Sequence, residues 1–291
     1  MKNHLLALAS ACLALAAASA AMTDAAPPKP VRIVLVGDST VTDFAGWGLG
    51  FKAFLTDRAE WRDAARSGRS SKSYRDEGHW AKALALQGDY YLIQFGHNDQ
   101  PGKGPKLETD PDTTFTENMA RYVDEVRAIG GKPILVTSLT RRNFDREHPD
   151  KIHSTLWPYV DAVKRLAAAK QVPLIDLHAR SIELCERLGP AGCAALNPID
   201  EKGAEDRTHL GPHGSVLFAR LVVEDLHKVM PELAPCLRGR AGRGHSAGQC
   251  AAAARWYVPL KCASGKRLPL IRSDHSTPPA RRGPSPAVRM R

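Results

Sequence analysis

Apolar residues along this chain fall into two kinds of pattern. Short, largely apolar runs occur at Val31–Val36, within Asp89–Phe95, within Lys132–Ser138 and at Val172–Leu177, and Trp61–Ala65 is a further short-strand candidate. A brief apolar run bounded by Gly or polar residues reads as a strand covered on both faces, as in a parallel sheet. Between the runs the apolar positions recur every three or four residues. That spacing predicts helices over Trp47–Ala59, Glu77–Gln87, Phe115–Ile129, Leu156–Gln171 and His178–Leu188. Trp47, Phe51, Phe54 and Leu55 mark one apolar face, and Met119, Tyr122, Val123 and Val126 another. Gly130-Gly131 stops the third helix, and an irregular stretch follows Leu188. Gly211-Pro212 opens a last helix over His213–Val229. Strands alternating with helices predict an α/β fold: a three-layer α/β/α sandwich with a mostly parallel five-stranded sheet, flavodoxin-like, in one domain over 31–235.

In such sheets ligands bind beyond the carboxyl ends of the strands. Polar clusters sit at those ends here: Gly37-Asp38-Ser39-Thr40 after the first strand, Arg66–Ser73 after the second and Gly96-His97-Asn98-Asp99 after the third. Ser39 in this position is either a nucleophile or the N-cap of the next helix. The long charged loop Arg141–Ser154 has the length to shape a cleft.

The net charge of +10 suggests a nucleic-acid partner until its distribution is followed. Residues 236–291 hold twelve Lys/Arg against one acidic residue, which leaves 29 basic and 30 acidic residues in 1–235. The folded part is near neutral, so no nucleic-acid surface is expected; the basic tail, rich in Arg, Gly, Ala, Pro and Ser, reads as a disordered extension. Residues 1–21 combine Lys2, a short Leu/Ala-rich region and Ala18-Ser19-Ala20, the make-up of a cleaved secretory signal, and 22–30 form a Pro/Ala linker. The mature chain is expected outside the cytoplasm, secreted or periplasmic, with no membrane segment left. Of six cysteines, Cys12 lies in the leader; Cys185 and Cys193 are close enough in sequence to close a small loop by a disulfide, while the pairing of Cys236, Cys250 and Cys262 is not readable. With no C-x-x-C pair, a structural zinc site is not expected.

A serine nucleophile needs a base, and the base needs an orienting partner. Asp206 and His209, three apart in a loop before the last helix, supply both residue types. They could equally be a turn cap and an ordinary loop histidine. A metal reading would take Asp206, His209 and His213, but Gly211-Pro212 breaks the helical turn that an i, i+4 His pair requires. Acyl transfer also needs donors for the oxyanion; the N–H groups of Ser39 and Gly68 and the amide of Asn98 are the candidates.

Gly37-Asp38-Ser39, Gly68, Gly96-His97-Asn98-Asp99 and Asp206-Arg207-Thr208-His209 resemble, in order, the four blocks of the SGNH (GDSL-like) hydrolases. Gly37–Val41, Ala65–Ser73, Gln94–Gln100 and Val172–His178 are similar to the rhamnogalacturonan acetylesterase group within that superfamily. The resemblance spans about 31–229. It implies Ser39 as nucleophile, His209 as base and Asp206 as its orienting carboxylate. It further implies an oxyanion hole of Ser39, Gly68 and Asn98, with His97 as a neighbouring cleft residue. It implies no metal or other cofactor, and release of acetate from an acetylated pectic polysaccharide. Arg66, Arg69, Lys72, Arg141 and Arg142 suit the carboxylates of such a polymer, and of these Arg69 and Arg141 are the expected substrate contacts. The protein is expected to act as a monomer. The basic tail has no counterpart in the group, and His213 occupies a position that often holds another residue. The alternatives are a lipase, thioesterase or lysophospholipase on the same scaffold, which the charged loops disfavour, and a non-catalytic glycan-binding protein.

Overall fold

The computed structural model describes residues 29–198 and 205–239. Five strands form one sheet: β1 (Val31–Gly37), β2 (Ala59–Asp63), β3 (Tyr90–Gln94), β4 (Lys132–Val136) and β5 (Leu174–Ile175). Every pairing is parallel and the order is β2-β1-β3-β4-β5. The chain runs outward from β1 in both directions, so β1 and β3 flank the point where the winding reverses. A crevice opens there at the carboxyl ends.

The helices are α1 (Gly48–Phe51, continued by a 3-10 turn Lys52–Phe54), α2 (Ser73–Asp76), α3 (His79–Leu84), α4 (Thr114–Ala128), α5 (Trp157–Lys170), α6 (Leu177–Ala194) and α7 (Pro212–Val229). Alternate residues of one strand feed opposite cores. Ile33 and Leu35 pack with Trp47, Phe51, Phe218 and Val222, whereas Val34 and Val36 pack with Tyr91, Met119 and Tyr122. Helices α1, α6 and α7 therefore cover one face and α2–α5 the other, giving three layers with both sheet faces dry.

Several predicted bounds change. The helix expected to reach Ala59 ends at Phe54, because Leu55 turns extended and forms an antiparallel bridge with Leu237. The helix expected from Glu77 starts at His79, after Gly78 with φ +75°, and closes at Leu84. Strand β5 shortens to two residues because Asp176 accepts from Ala179 N–H and caps α6. Beyond Leu188, α6 breaks at Gly189 (φ 66°, ψ 176°) and resumes from Pro190, where irregular chain was expected. Cys236 and Leu237, assigned to the tail from the sequence, are buried. Cys185 and Cys193 are free thiols rather than a disulfide, and the Cys193 thiol donates to the Cys185 carbonyl at 3.5 Å. The leader, most of the linker, Cys250, Cys262 and nearly all of the basic tail lie outside the described residues. Among the described residues no helix is long and apolar enough to cross a membrane.

Candidate active site

Ser39 lies two residues beyond β1, in a turn fixed by buried side chains. Asp38 Oδ1 accepts from the Thr40 N–H (2.8 Å) and the Thr40 hydroxyl (2.7 Å). That hydroxyl accepts from Gln94 Nε2 (2.8 Å), and Gln94 Oε1 accepts from the Trp47 indole N–H (3.0 Å). Thr42 donates its hydroxyl to the Ser39 carbonyl at 2.8 Å. Gly46 closes the turn against Thr40, where an added Cβ would lie 2.2 Å from the Thr40 carbonyl. A continuous chain of hydrogen bonds from the Trp47 indole to Asp38 thus sets the turn that carries Ser39.

The four sequence blocks converge here. His209 Nε2 is 2.8 Å from Ser39 Oγ, and its Nδ1 is 2.7 Å from Asp206 Oδ2. Asp206 Oδ1 accepts from the backbone N–H groups of Thr208 (2.8 Å) and His209 (2.9 Å). Burial would raise the Asp206 carboxyl, but these hydrogen bonds and the His209 contact outweigh it and hold the group below its ordinary value. Asp206 is thus an ionised acceptor that fixes one imidazole tautomer, and it leaves Nε2 free to accept the serine proton. Both ring nitrogens of His209 are engaged, Nδ1 by Asp206 and Nε2 by Ser39. Among the described residues no group of three or more His, Cys, Asp or Glu side chains could hold a metal ion.

Gly68 has φ +75°, the left-handed region open to glycine, and a Cβ there would meet nothing within 4 Å. Glycine is needed for conformation at this position, not for space. Asn98 Nδ2 donates to the Arg69 carbonyl at 3.1 Å, which leaves its second N–H to spend. Asp99 joins the two loops that carry Gly68 and Asn98. Its Oδ1 accepts from Ser71 N (3.0 Å), Ser71 Oγ (2.6 Å) and Thr109 Oγ1 (2.9 Å). Burial raises its carboxyl to about 7 despite those donors.

The remaining predicted residues divide. His97 is not a cleft residue: its side chain is 3 % exposed, with Nδ1 3.7 Å from Asp38 Oδ2. Burial, reinforced by nearby Arg141, pushes its pKa far down, and it lies under the cleft as a neutral ring. Arg69 is half-buried and held by Glu77 at 2.7 Å, yet with Phe44, Arg66 and Ser67 it lines a cavity of about 430 Å³ beside the Gly68 loop. Arg141 donates to Gln100 Oε1 (2.6 Å) and to the His97 carbonyl (3.3 Å). With Lys103 and Tyr159 it borders a second cavity of about 660 Å³. Lys72 is drawn off to the Pro105 carbonyl at 2.9 Å. Arg142, expected on the cleft surface, is 2 % exposed and faces inward. The sequence gives no sign of the roles of Trp47, Gln94 and Arg142 in supporting the site. Asp99 was visible only as part of its motif.

Residues 35–217 match the GDSL-like lipase/acylhydrolase family. The chain is similar to the rhamnogalacturonan acetylesterase RhgT of Bacillus subtilis, with 37 % identity over 235 residues, covering 75 % of this chain and 98 % of that protein. It is also 30 % identical to the probable rhamnogalacturonan acetylesterase YesY of the same organism, covering 68 % of this chain and 93 % of that one. Among solved structures, B. subtilis YxiM superposes with a TM-score of 0.61 at 26 % identity, over 72 % of this chain and 59 % of YxiM. The acetylxylan esterase Axe2 of Geobacillus stearothermophilus superposes with a TM-score of 0.52 at 18 % identity, over 68 % of this chain and 94 % of Axe2, a likeness of fold.

Proposed function

The chain belongs to the GDSL-like lipase/acylhydrolase family and is a carboxylic ester hydrolase; from that premise we propose that it is an exported serine esterase removing acetyl groups from pectic polysaccharide. The observation that carries this reading is the unbroken Ser39–His209–Asp206 relay, with contacts of 2.8 and 2.7 Å. Ser39 Oγ attacks the acetyl carbonyl carbon while its proton passes to His209 Nε2. The tetrahedral oxyanion is received by the N–H groups of Ser39 and Gly68 and by Asn98 Nδ2. The carbon–oxygen bond to the sugar breaks, and the sugar alkoxide leaves with the proton from His209. Water, deprotonated by the same nitrogen, then attacks the acetyl-enzyme and frees acetate and Ser39.

The substrate class rests on the likeness to the two rhamnogalacturonan acetylesterases of B. subtilis. Arg69 and Arg141, each lining a cavity, are the side chains proposed to meet uronate carboxylates as a monomeric enzyme binds the polymer. Export rests on the leader-like residues 1–21.

The test is acetate release from acetylated rhamnogalacturonan, acetylated xylan and a long-chain ester, by the wild type and by Ser39→Ala. The reading expects the pectic polymer to be preferred and Ser39→Ala to lose activity by a factor on the order of 10⁴ or more. Equal release by Ser39→Ala defeats the serine mechanism, and preference for the long-chain ester defeats the substrate. Expression with the natural leader and mass analysis of the exported protein tests removal of the leader.

A further inference from the structure

The loop that carries the base has no regular secondary structure, and six residues just before it lie outside the described part of the chain. It is nonetheless gathered by a single side chain from the other side of the crevice. Arg142 follows β4 by six residues. Its Nη2 donates to the carbonyl of Asp206 at 3.0 Å and to that of His209, and its Nη1 reaches the carbonyl of Thr208 at 3.5 Å. Its own backbone N–H donates to the carbonyl of Arg207 at 2.8 Å. One residue therefore receives all four carbonyls of the segment 206–209. Its Nε is aimed by Asn197 Oδ1 at 2.5 Å, from the turn after α6. On the opposite side of the same loop, Asp206 Oδ1 takes the N–H groups of Thr208 and His209. The backbone is thus held from both sides, its carbonyls by Arg142 and its amides by Asp206.

We infer that Arg142 is a positioning residue that holds His209 in line with Ser39 and Asp206. This rests on the reading of those three residues as the catalytic group. Burial tends to lower the pKa of the guanidinium, yet an arginine keeps its charge in any ordinary protein setting. A cation buried this deeply is costly unless its donors are satisfied, and here the satisfying oxygens are those of the base loop. Withdrawing the loop would strip a buried charge of most of its partners, so the folded state strongly favours one loop position. Lysine cannot substitute fully. A point ammonium with three donors cannot reach acceptors spread across the fork of a planar guanidinium. The side-chain hydrogen bonds of Arg142 go to the 206–209 segment and to Asn197, so its effect on the reaction passes through His209 and Asp206.

The test uses Arg142→Met, Arg142→Lys and Asn197→Ala in the full chain. Turnover of a small aryl acetate is expressed per active site counted from the acylation burst. The proton shared by His209 Nδ1 and Asp206 is followed by proton NMR as a downfield resonance. Arg142→Met is expected to lower kcat about 10²-fold with KM within about twofold of wild type, and to broaden or abolish the downfield resonance. Arg142→Lys is expected to recover part of both losses, and Asn197→Ala to lower kcat about fivefold. A folded Arg142→Met protein with wild-type kcat and an intact resonance overturns the inference. So does a loss confined to the number of active sites, since that is only a folding defect. If Arg142→Met does not fold, Asn197→Ala decides: an unchanged kcat and resonance overturn the inference. The resonance reports the His209–Asp206 contact whether or not Ser39 is the nucleophile. Retained activity in Ser39→Ala would therefore defeat the proposed function and leave the Arg142 result readable on its own.

Discussion

The two halves of the candidate site are built in opposite ways. The turn that carries Ser39 hangs from β1, an inner strand of the sheet, and its supports (Trp47, Gln94, Thr40 and Asp38) are all buried. The base loop is irregular, and the side chains of His209 and Asp206 are 33 and 37 % exposed. The first half is fixed by the same interactions that hold the core together. The second is irregular backbone tied by polar contacts to Asp206 and to the buried Arg142, while its own reactive side chains stay partly exposed. Changes at the Ser39 turn are therefore expected to cost stability and activity together, and changes to the exposed side chains of the His209 loop activity with little stability.

The largest expected effect separates the two halves most clearly. His209→Ala removes a side chain that is 33 % exposed. Activity should fall by a factor on the order of 10⁴ or more, while the melting temperature moves by no more than a few degrees. A collapse in melting temperature would erase the proposed contrast. Next, Asn98→Ala removes one proposed oxyanion donor and should lower kcat by about 10²- to 10³-fold with KM little changed. A pure KM effect would move Asn98 from charge stabilisation to substrate binding. On the nucleophile side, Gln94→Met leaves the Trp47 indole N–H without its acceptor and the Thr40 hydroxyl without its donor. It should cost about 1–3 kcal/mol in a denaturant titration and carry activity down with it. Full stability with lost activity would show that this turn, too, is held independently of the core.

The smallest effect is a pH slope. Burial raises Asp99 to about 7, well above its ordinary value of 3.8. Between those pH values the folded chain retains a proton that the unfolded chain has released. By linkage, the Asp99 contribution to stability falls as pH rises through that window. Asp38, raised by its own burial, acts in the same direction. Asp99→Asn keeps an acceptor for Ser71 and Thr109 and should flatten the decline in urea midpoint between about pH 4 and 7. An unchanged slope would assign it to other groups.

The strand runs and the residues at their carboxyl ends were legible in the sequence because burial on both faces demands unbroken Val, Ile and Leu. The sheet's winding then brings those ends together. Leu55 was misread as helical because its spacing from Phe51 and Phe54 suits a helix; its true partner, Leu237, is 182 residues away. Arg142 and Arg141 are adjacent and chemically identical, so nothing local distinguishes the arginine that faces a cavity from the one that turns inward. The partners of Arg142 are backbone carbonyls, which leave no mark in the residue types around it. His97 misled for a related reason. A histidine in a polar motif suggests solvent, but here it sits beneath the motif, against Asp38.

Ser215 ties the two halves across the fold. Its hydroxyl donates to the Gly46 carbonyl at 2.6 Å and accepts from the Gly50 N–H at 2.9 Å, so α7 is seated directly on α1. A side chain at Gly50 would collide with the Ser215 carbonyl at 2.4 Å. The residues that meet at this seat are 165 and 169 positions apart in the chain, as Ser39 and His209 are 170 apart. During synthesis the serine therefore emerges long before its base. At roughly 5–20 residues per second, the ribosome needs about 10–30 s more to deliver the histidine. Throughout that interval the growing chain carries Ser39 without His209 beside it, so on the proposed mechanism no hydrolysis is possible until the C-terminal part of the chain is made.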